Sequence, residues 1–153
     1  MKIMEMLKVE FIIDELKATN KRDVLTELIA VIAKGEGSFD PEAMLRVFWE
    51  REQLGSTGIG DGIAIPHGKL AGLDETVLAF GRSRKGVAFE ALDGKPVHLF
   101  FLLAAPENSA GRHLKALAKI SRMLKDGVFR KNLLEANGHD DFVRIIAQKD
   151  DEC

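Results

Sequence analysis

The histidine in Ile65-Pro66-His67-Gly68-Lys69 has the chemistry of a nucleophile. A neutral imidazole offers a lone pair near pH 7, the proline before it restricts the backbone, and the glycine after it leaves room for a bulky group to approach. That combination suits a covalent phosphohistidine. The attacking ring nitrogen must be unprotonated, so the other must donate its hydrogen, most simply to a nearby backbone carbonyl. A carried phosphoryl group brings a charge of about −1.5 to −2 and needs cations and donors around it. Arg51, His113, Lys69 and the hydroxyls of Ser56 and Thr57 are the candidates. His113 falls in the first turn of a predicted helix that starts near Asn108, where the positive end of the helix dipole favours an anion.

Other readings compete for the glycine-rich residues 55–68. A nucleotide P-loop needs lysine and then serine or threonine after its last glycine, but Asp61 and Gly62 follow Gly60. The dinucleotide fingerprint fails on spacing, because Gly62 comes two residues after Gly60 and a predicted strand follows where a helix should open. A metal site would have to join His67 and His113, far apart in sequence, with Asp61 as the third ligand, and there is no His-x-x-x-His or Cys-x-x-Cys pair. A structural reading also stands: Arg51 continues the solvated run Glu50-Arg51-Glu52, Ser56 and Thr57 are turn residues, and His113 covers a helix start. His98 and His139 are read as structural.

The elements around these residues predict an α/β fold, a mixed β-sheet sandwiched between helices in a single domain over residues 1–153. Asn20 caps a helix carrying Val24, Leu25, Leu28, Ile29 and Ile32, with Gly35 and Gly37 at its end. Asp40-Pro41 opens a second helix with Met44, Leu45 and Phe48 on one face, running to Gly55. Residues 9–13, 63–65, 77–84, 87–91 and 97–103 read as strands, with a tight turn at Asp93-Gly94. The unbroken apolar run 97–103 predicts a central strand covered on both faces. Residues 55–62 are too glycine-rich for a regular element. The last third is helical: Asn108 or Ser109 caps a helix to about Lys125 with Leu114, Leu117, Ala118, Ser121 and Leu124 inward. Gly127 and Gly138 separate two more helices, the second holding Phe142, Ile145 and Ile146.

Composition narrows the function classes. Lys and Arg number 22 against 24 Asp and Glu and are interspersed with them, so there is no basic footprint for nucleic acid. The most apolar stretch is far shorter than the roughly 20 residues of a membrane helix, and no secretory signal opens the chain, so a cytoplasmic protein without membrane insertion is expected. The single cysteine, Cys153, cannot form an internal bridge.

The strings Arg51-Glu52-x-Leu54-Gly55-Ser56-Thr57 and Gly60-x-Gly62-Ile63-Ala64-Ile65-Pro66-His67-Gly68-Lys69 resemble the active-site signature of the type-2 enzyme IIA domains of the bacterial phosphoenolpyruvate-dependent phosphotransferase system. That family contains the fructose, mannitol and nitrogen-regulatory enzymes IIA. The resemblance spans nearly the whole chain, including the strand ending Ala104-Ala105-Pro106 and the helix with His113-Leu114-x-x-Leu117. It implies the fructose/mannitol enzyme IIA fold and a phosphotransferase with no metal, nucleotide or other cofactor. It also implies that His67 accepts, through Nε2, a phosphoryl group from the phosphohistidine of HPr or its nitrogen-branch counterpart. By the same resemblance His113 is the second active-site histidine, and Arg51 helps hold the phosphoryl group. Asp61 falls where the family varies and receives no role. Two continuations remain, transfer to an enzyme IIB during sugar uptake or a signalling role through regulatory target proteins. The string from Gly62 to Leu70 resembles the regulatory branch more, and the chain carries no IIB, membrane or HPr segment, so the regulatory role is expected.

Overall fold

Strand pairing around the apolar run from Val97 organises the molecule. The computed structural model describes residues 1–35 and 39–153, so Gly37, expected at the end of the first helix, lies outside the described residues. In chain order the elements are β1 (Ile12–Ile13), α1 (Lys21–Gly35), α2 (Pro41–Gln53), β2 (Gly58–Gly60), β3 (Ile63–Ala64), β4 (His67–Leu70), β5 (Val77–Val87), β6 (Val97–Pro106), α3 (Ala110–Leu124), α4 (Gly127–Glu135) and α5 (His139–Glu152). Two short 3-10 turns, Ile3–Glu5 and Val9–Phe11, precede β1. β6 is central: it pairs antiparallel with β5 and parallel with both β3 and β4. β1 extends the sheet beyond β5 in parallel, and β2 extends it antiparallel beyond β3. The sheet is therefore mixed and six-stranded.

Side-chain alternation assigns the helices to two faces. Phe80 and Phe101 pair across β5 and β6 and point to one face, where Phe80 meets Phe142 of α5 at 5.0 Å between centroids. Arg82, opposite Leu99, shares that face and donates to the carbonyls of Leu133, Leu134 and Ala136 at the end of α4. The opposite face carries Ala104, level with Gly68, which abuts Val47 and Phe48 of α2. It also carries Phe100, which meets Phe89, and Phe89 lies under Lys21 of α1. Helices α1 and α2 thus cover one face and α4 and α5 the other, so β6 is buried on both, as its continuous apolar run requires.

The caps of α1 and α2 act as their sequence predicts, whereas α3 has no side-chain cap. Asn20 Oδ1 accepts from the Asp23 amide and Asp40 Oδ1 from the Glu42 amide. Other expectations are corrected. Residues 9–13 are a 3-10 turn followed by only two strand residues. No separate strand covers 87–91: β5 runs on to Val87 through a register shift, Gly86 takes φ +90 there, and Ala88 only bridges Asn20. Residues 58–60 do form a strand, because their pairing with β3 uses backbone groups and needs no side-chain pattern. In α3 the buried positions are His113, Ala116, Lys119, Ile120, Met123 and Leu124. Leu114 and Ala118 therefore face outward, with Leu114 64% exposed.

Candidate active site

His67 is the first residue of β4, opposite Leu103 of β6, and so projects to the sheet face opposite α1 and α2. Its Nδ1 lies 2.9 Å from the Ile65 carbonyl. A carbonyl only accepts, so Nδ1 carries the hydrogen and Nε2 keeps its lone pair. The glycine that follows serves packing rather than open space: a Cβ at Gly68 would lie 3.0 Å from Val47 Cγ1 and 3.2 Å from Phe48 Cε1. Gly68 therefore lets α2 approach β4 closely.

α3 brings the second histidine. The His67 and His113 ring centroids are 5.7 Å apart. His113 is only 6% exposed, and its Nδ1 is buried with no hydrogen-bond partner among the described residues. Burial lowers its pKa from the ordinary 6.5, and the neighbouring His67 and Lys69 charges lower it further. The neutral form of His113 is thereby favoured. An orphaned buried lone pair costs less than an orphaned N–H, so the tautomer that suits the site has the hydrogen on Nε2. Lys69 is exposed and stands two residues beyond His67, on the same face of β4. Ser109 occupies the N-cap position of α3, but its Oγ donates to the Pro106 carbonyl rather than capping the helix.

Arg51 lies in the last turn of α2, one turn beyond the Val47 that meets Gly68. Its Nη1 donates to the Gly55 carbonyl at 2.8 Å. Ser56 Oγ accepts from the Gly58 amide in a local turn. Thr57 is buried, and both its amide and its hydroxyl donate to the Glu52 carboxylate. Of the residues singled out in sequence, the structure brings His67, His113 and Lys69 together, ties Arg51 to Gly55, and commits the Thr57 hydroxyl to Glu52.

Glu52 and the Ile65 carbonyl escape a reading of the sequence. Glu52 looks like part of a charged run, but Met44, Phe48 and Glu52 recur at intervals of four and all three are buried. That spacing is the available signal, since a carboxylate on the apolar stripe requires a partner, here Lys21 Nζ at 3.2 Å. Among the described residues no group of three or more His, Cys, Asp or Glu side chains converges on a metal-sized site, and no helix is long and apolar enough to cross a membrane.

Comparisons with known proteins identify the family and the fold. The family model described as "Phosphoenolpyruvate-dependent sugar phosphotransferase system, EIIA 2" matches residues 5–149. The nitrogen regulatory protein of Bradyrhizobium diazoefficiens is 43% identical over 133 residues, covering 87% of this chain and 86% of that protein. The fructose-specific EIIABC component of the phosphotransferase system of Bacillus subtilis is 42% identical over 150 residues, 98% of this chain, which spans only 24% of that protein's length. The crystal structure of nitrogen regulatory protein IIA-Ntr from Neisseria meningitidis superposes with a TM-score of 0.88 at 34% identity, covering 94% of this chain and 98% of that one. With its fold, its histidine pair and a match over almost its full length, the chain belongs to the EIIA 2 family of the phosphoenolpyruvate-dependent sugar phosphotransferase system.

Proposed function

We propose that this chain is a protein phosphocarrier in which His67 Nε2 takes a phosphoryl group from the phosphohistidine of HPr or an HPr-like protein of the nitrogen branch, and that its role is regulatory. The observation that carries the reading is the 2.9 Å contact from His67 Nδ1 to the Ile65 carbonyl, which leaves Nε2 with a lone pair for attack. As the new Nε2–P bond forms, the donor's N–P bond breaks and its imidazole keeps the electron pair. One N–P bond replaces another, so the task of the site is to align and neutralise the group. His113, through Nε2–H, together with Arg51 and Lys69 supplies donors and positive charge, and the uncapped start of α3 adds the favourable end of its dipole. Exposed Leu114, next to His113, and exposed Leu54, just beyond Arg51, offer apolar contact to a docking protein.

The nitrogen regulatory relatives, similar over most of their own length, support the regulatory role. A second reading, transfer onward to an enzyme IIB during sugar uptake, draws on the similarity to the fructose-specific protein. Incubation with phosphoenolpyruvate, enzyme I and HPr should place an acid-labile phosphate on the wild type and none on His67→Ala. A label that survives the substitution overturns the assignment. Affinity capture with phosphorylated and unphosphorylated protein then separates the two roles: partners that change with phosphorylation state support regulation, and quantitative transfer to a IIB domain supports uptake.

A further inference from the structure

A series of hydrogen bonds, linked through the backbone of Thr57 and Ile65, runs from the buried Glu52 to His67. Its carboxylate pairs with Lys21 Nζ at 3.2 Å and accepts from the Thr57 amide at 3.1 Å and from the Thr57 hydroxyl. The carbonyl of the same Thr57 accepts from the Ile65 amide at 3.0 Å. The Ile65 carbonyl in turn accepts from His67 Nδ1 at 2.9 Å. Every link has one donor and one acceptor of the correct kind, and Lys21, Glu52, Thr57 and Ile65 are all buried.

The arrangement is specific. Lys21 lies over the Phe89 ring at 4.9 Å and reaches exposed Glu90 at 3.7 Å, so its ammonium is fixed from two sides before it meets Glu52. Glu52 is the residue after Arg51, and Arg51 holds the Gly55 carbonyl. The two neighbouring side chains therefore tie down the same turn, one at Gly55 and the other at Thr57. No substrate-facing role is left for Glu52, whose oxygens are committed to Thr57 and Lys21.

We infer that Glu52, through Thr57, is the positioning residue that fixes the Ile65 carbonyl and with it the Nδ1–H tautomer of His67. The inference rests on the phosphocarrier reading above, because that reading is what gives the tautomer its importance. If Thr57 shifts, the Thr57–Ile65 link and the Ile65 carbonyl shift with it. The ring can then place its hydrogen on Nε2, the atom that must attack.

The test uses the whole ¹⁵N-labelled chain without any phosphate donor, and long-range ¹H–¹⁵N correlation of the His67 ring at about pH 8, where an ordinary imidazole is neutral. The wild type should show a protonated Nδ1 and a lone-pair Nε2. Glu52→Gln and Thr57→Val should shift the ring toward the Nε2–H form and slow phosphoryl transfer onto His67 by about tenfold or more. Thr57→Ser, which keeps the hydroxyl, should recover the wild-type ring spectrum. Spectra of Glu52→Gln and Thr57→Val that superimpose on the wild type overturn the inference, even if those variants melt earlier. Should Glu52→Gln fail to fold because Lys21 loses its buried partner, the Thr57→Val and Thr57→Ser pair decides alone. The phosphocarrier reading fails separately: a wild type that takes no phosphate on His67 refutes it whatever the ring spectra show.

Discussion

Gly68 packs against Phe48 so tightly that a Cβ on it would stand 3.2 Å from Phe48 Cε1. The relationship joins the strand that presents His67 to the helix that presents Arg51, since Phe48 lies in α2 one turn before the buried Glu52. The fit of strand on helix is thus set by backbone approach, and the residue next to His67 has to be the smallest one available.

Gly68→Ala should accordingly separate β4 from α2. Phe48 is fully buried and cannot swing aside, so the added methyl should cost about 1–3 kcal/mol of stability. The same displacement should slow phosphoryl transfer at temperatures where the variant is folded. Thermal melts and single-turnover transfer rates check both, and an unchanged rate would mean that the spacing is not catalytically important.

For His113, the orphaned Nδ1 assigns the useful chemistry to Nε2. Glutamine can place an amide N–H₂ near the position of Nε2, whereas alanine supplies no donor. Phosphoryl transfer should therefore be slow in His113→Ala and partly restored in His113→Gln. Equal rates in the two variants would show that His113 acts by filling space and not by donating a hydrogen bond.

Two histidines give stability an opposing dependence on pH. His139 has Nδ1 at 2.6 Å from Asp14 and Nε2 at 2.6 Å from the Val9 carbonyl. Burial works against its charge, but the Val9 carbonyl and then Asp14 outweigh that effect, and its pKa is raised above the ordinary 6.5. Its contribution is therefore full below about pH 6.5 and is lost as pH rises through the folded-state value. His113 has the opposite sign: with its pKa lowered, its contribution is full above about pH 6.5 and is lost as pH falls from there toward the lower folded-state value. Melting temperature measured across this range should show less alkaline loss in His139→Asn than in the wild type. Parallel profiles would rule His139 out as the alkaline-side group.

The parts of this architecture that are legible in sequence are those set by local chemistry. The Asn20 and Asp40 caps, the turn at Asp93-Gly94 and the doubly buried β6 follow from side chains within a few residues of one another. The register of α3 is not legible in this way, because Leu114 invites an inward assignment while the helix turns His113 and Lys119 inward. Those polar residues are accommodated by distant groups: Lys119 pairs with Asp150 and donates to the Met1 carbonyl, contacts that no helical period encodes. Strands β2 and β4 are hidden for a related reason. β2 contains two glycines and β4 one, and their pairing comes from β3 and β6. His67 itself is visible through its Pro and Gly neighbours, but the packing reason for Gly68 requires the position of α2.

Arg51 offers a last separation of charge from geometry. One guanidinium nitrogen is already committed to the Gly55 carbonyl at 2.8 Å, so Arg51 can face a phosphoryl group only because its planar fork has further N–H donors. Lysine retains the charge but gathers its donors on one atom, which cannot both hold Gly55 and meet the phosphoryl oxygens from the same place. Arg51→Lys should therefore lose transfer activity nearly as fully as Arg51→Ala. Both should cost only about 0.5–1.5 kcal/mol of stability, the worth of one hydrogen bond. Transfer rates for the pair, read beside their melting temperatures, test this directly. Wild-type transfer in Arg51→Lys would show that charge alone suffices and that the Gly55 contact plays no part in presenting the guanidinium.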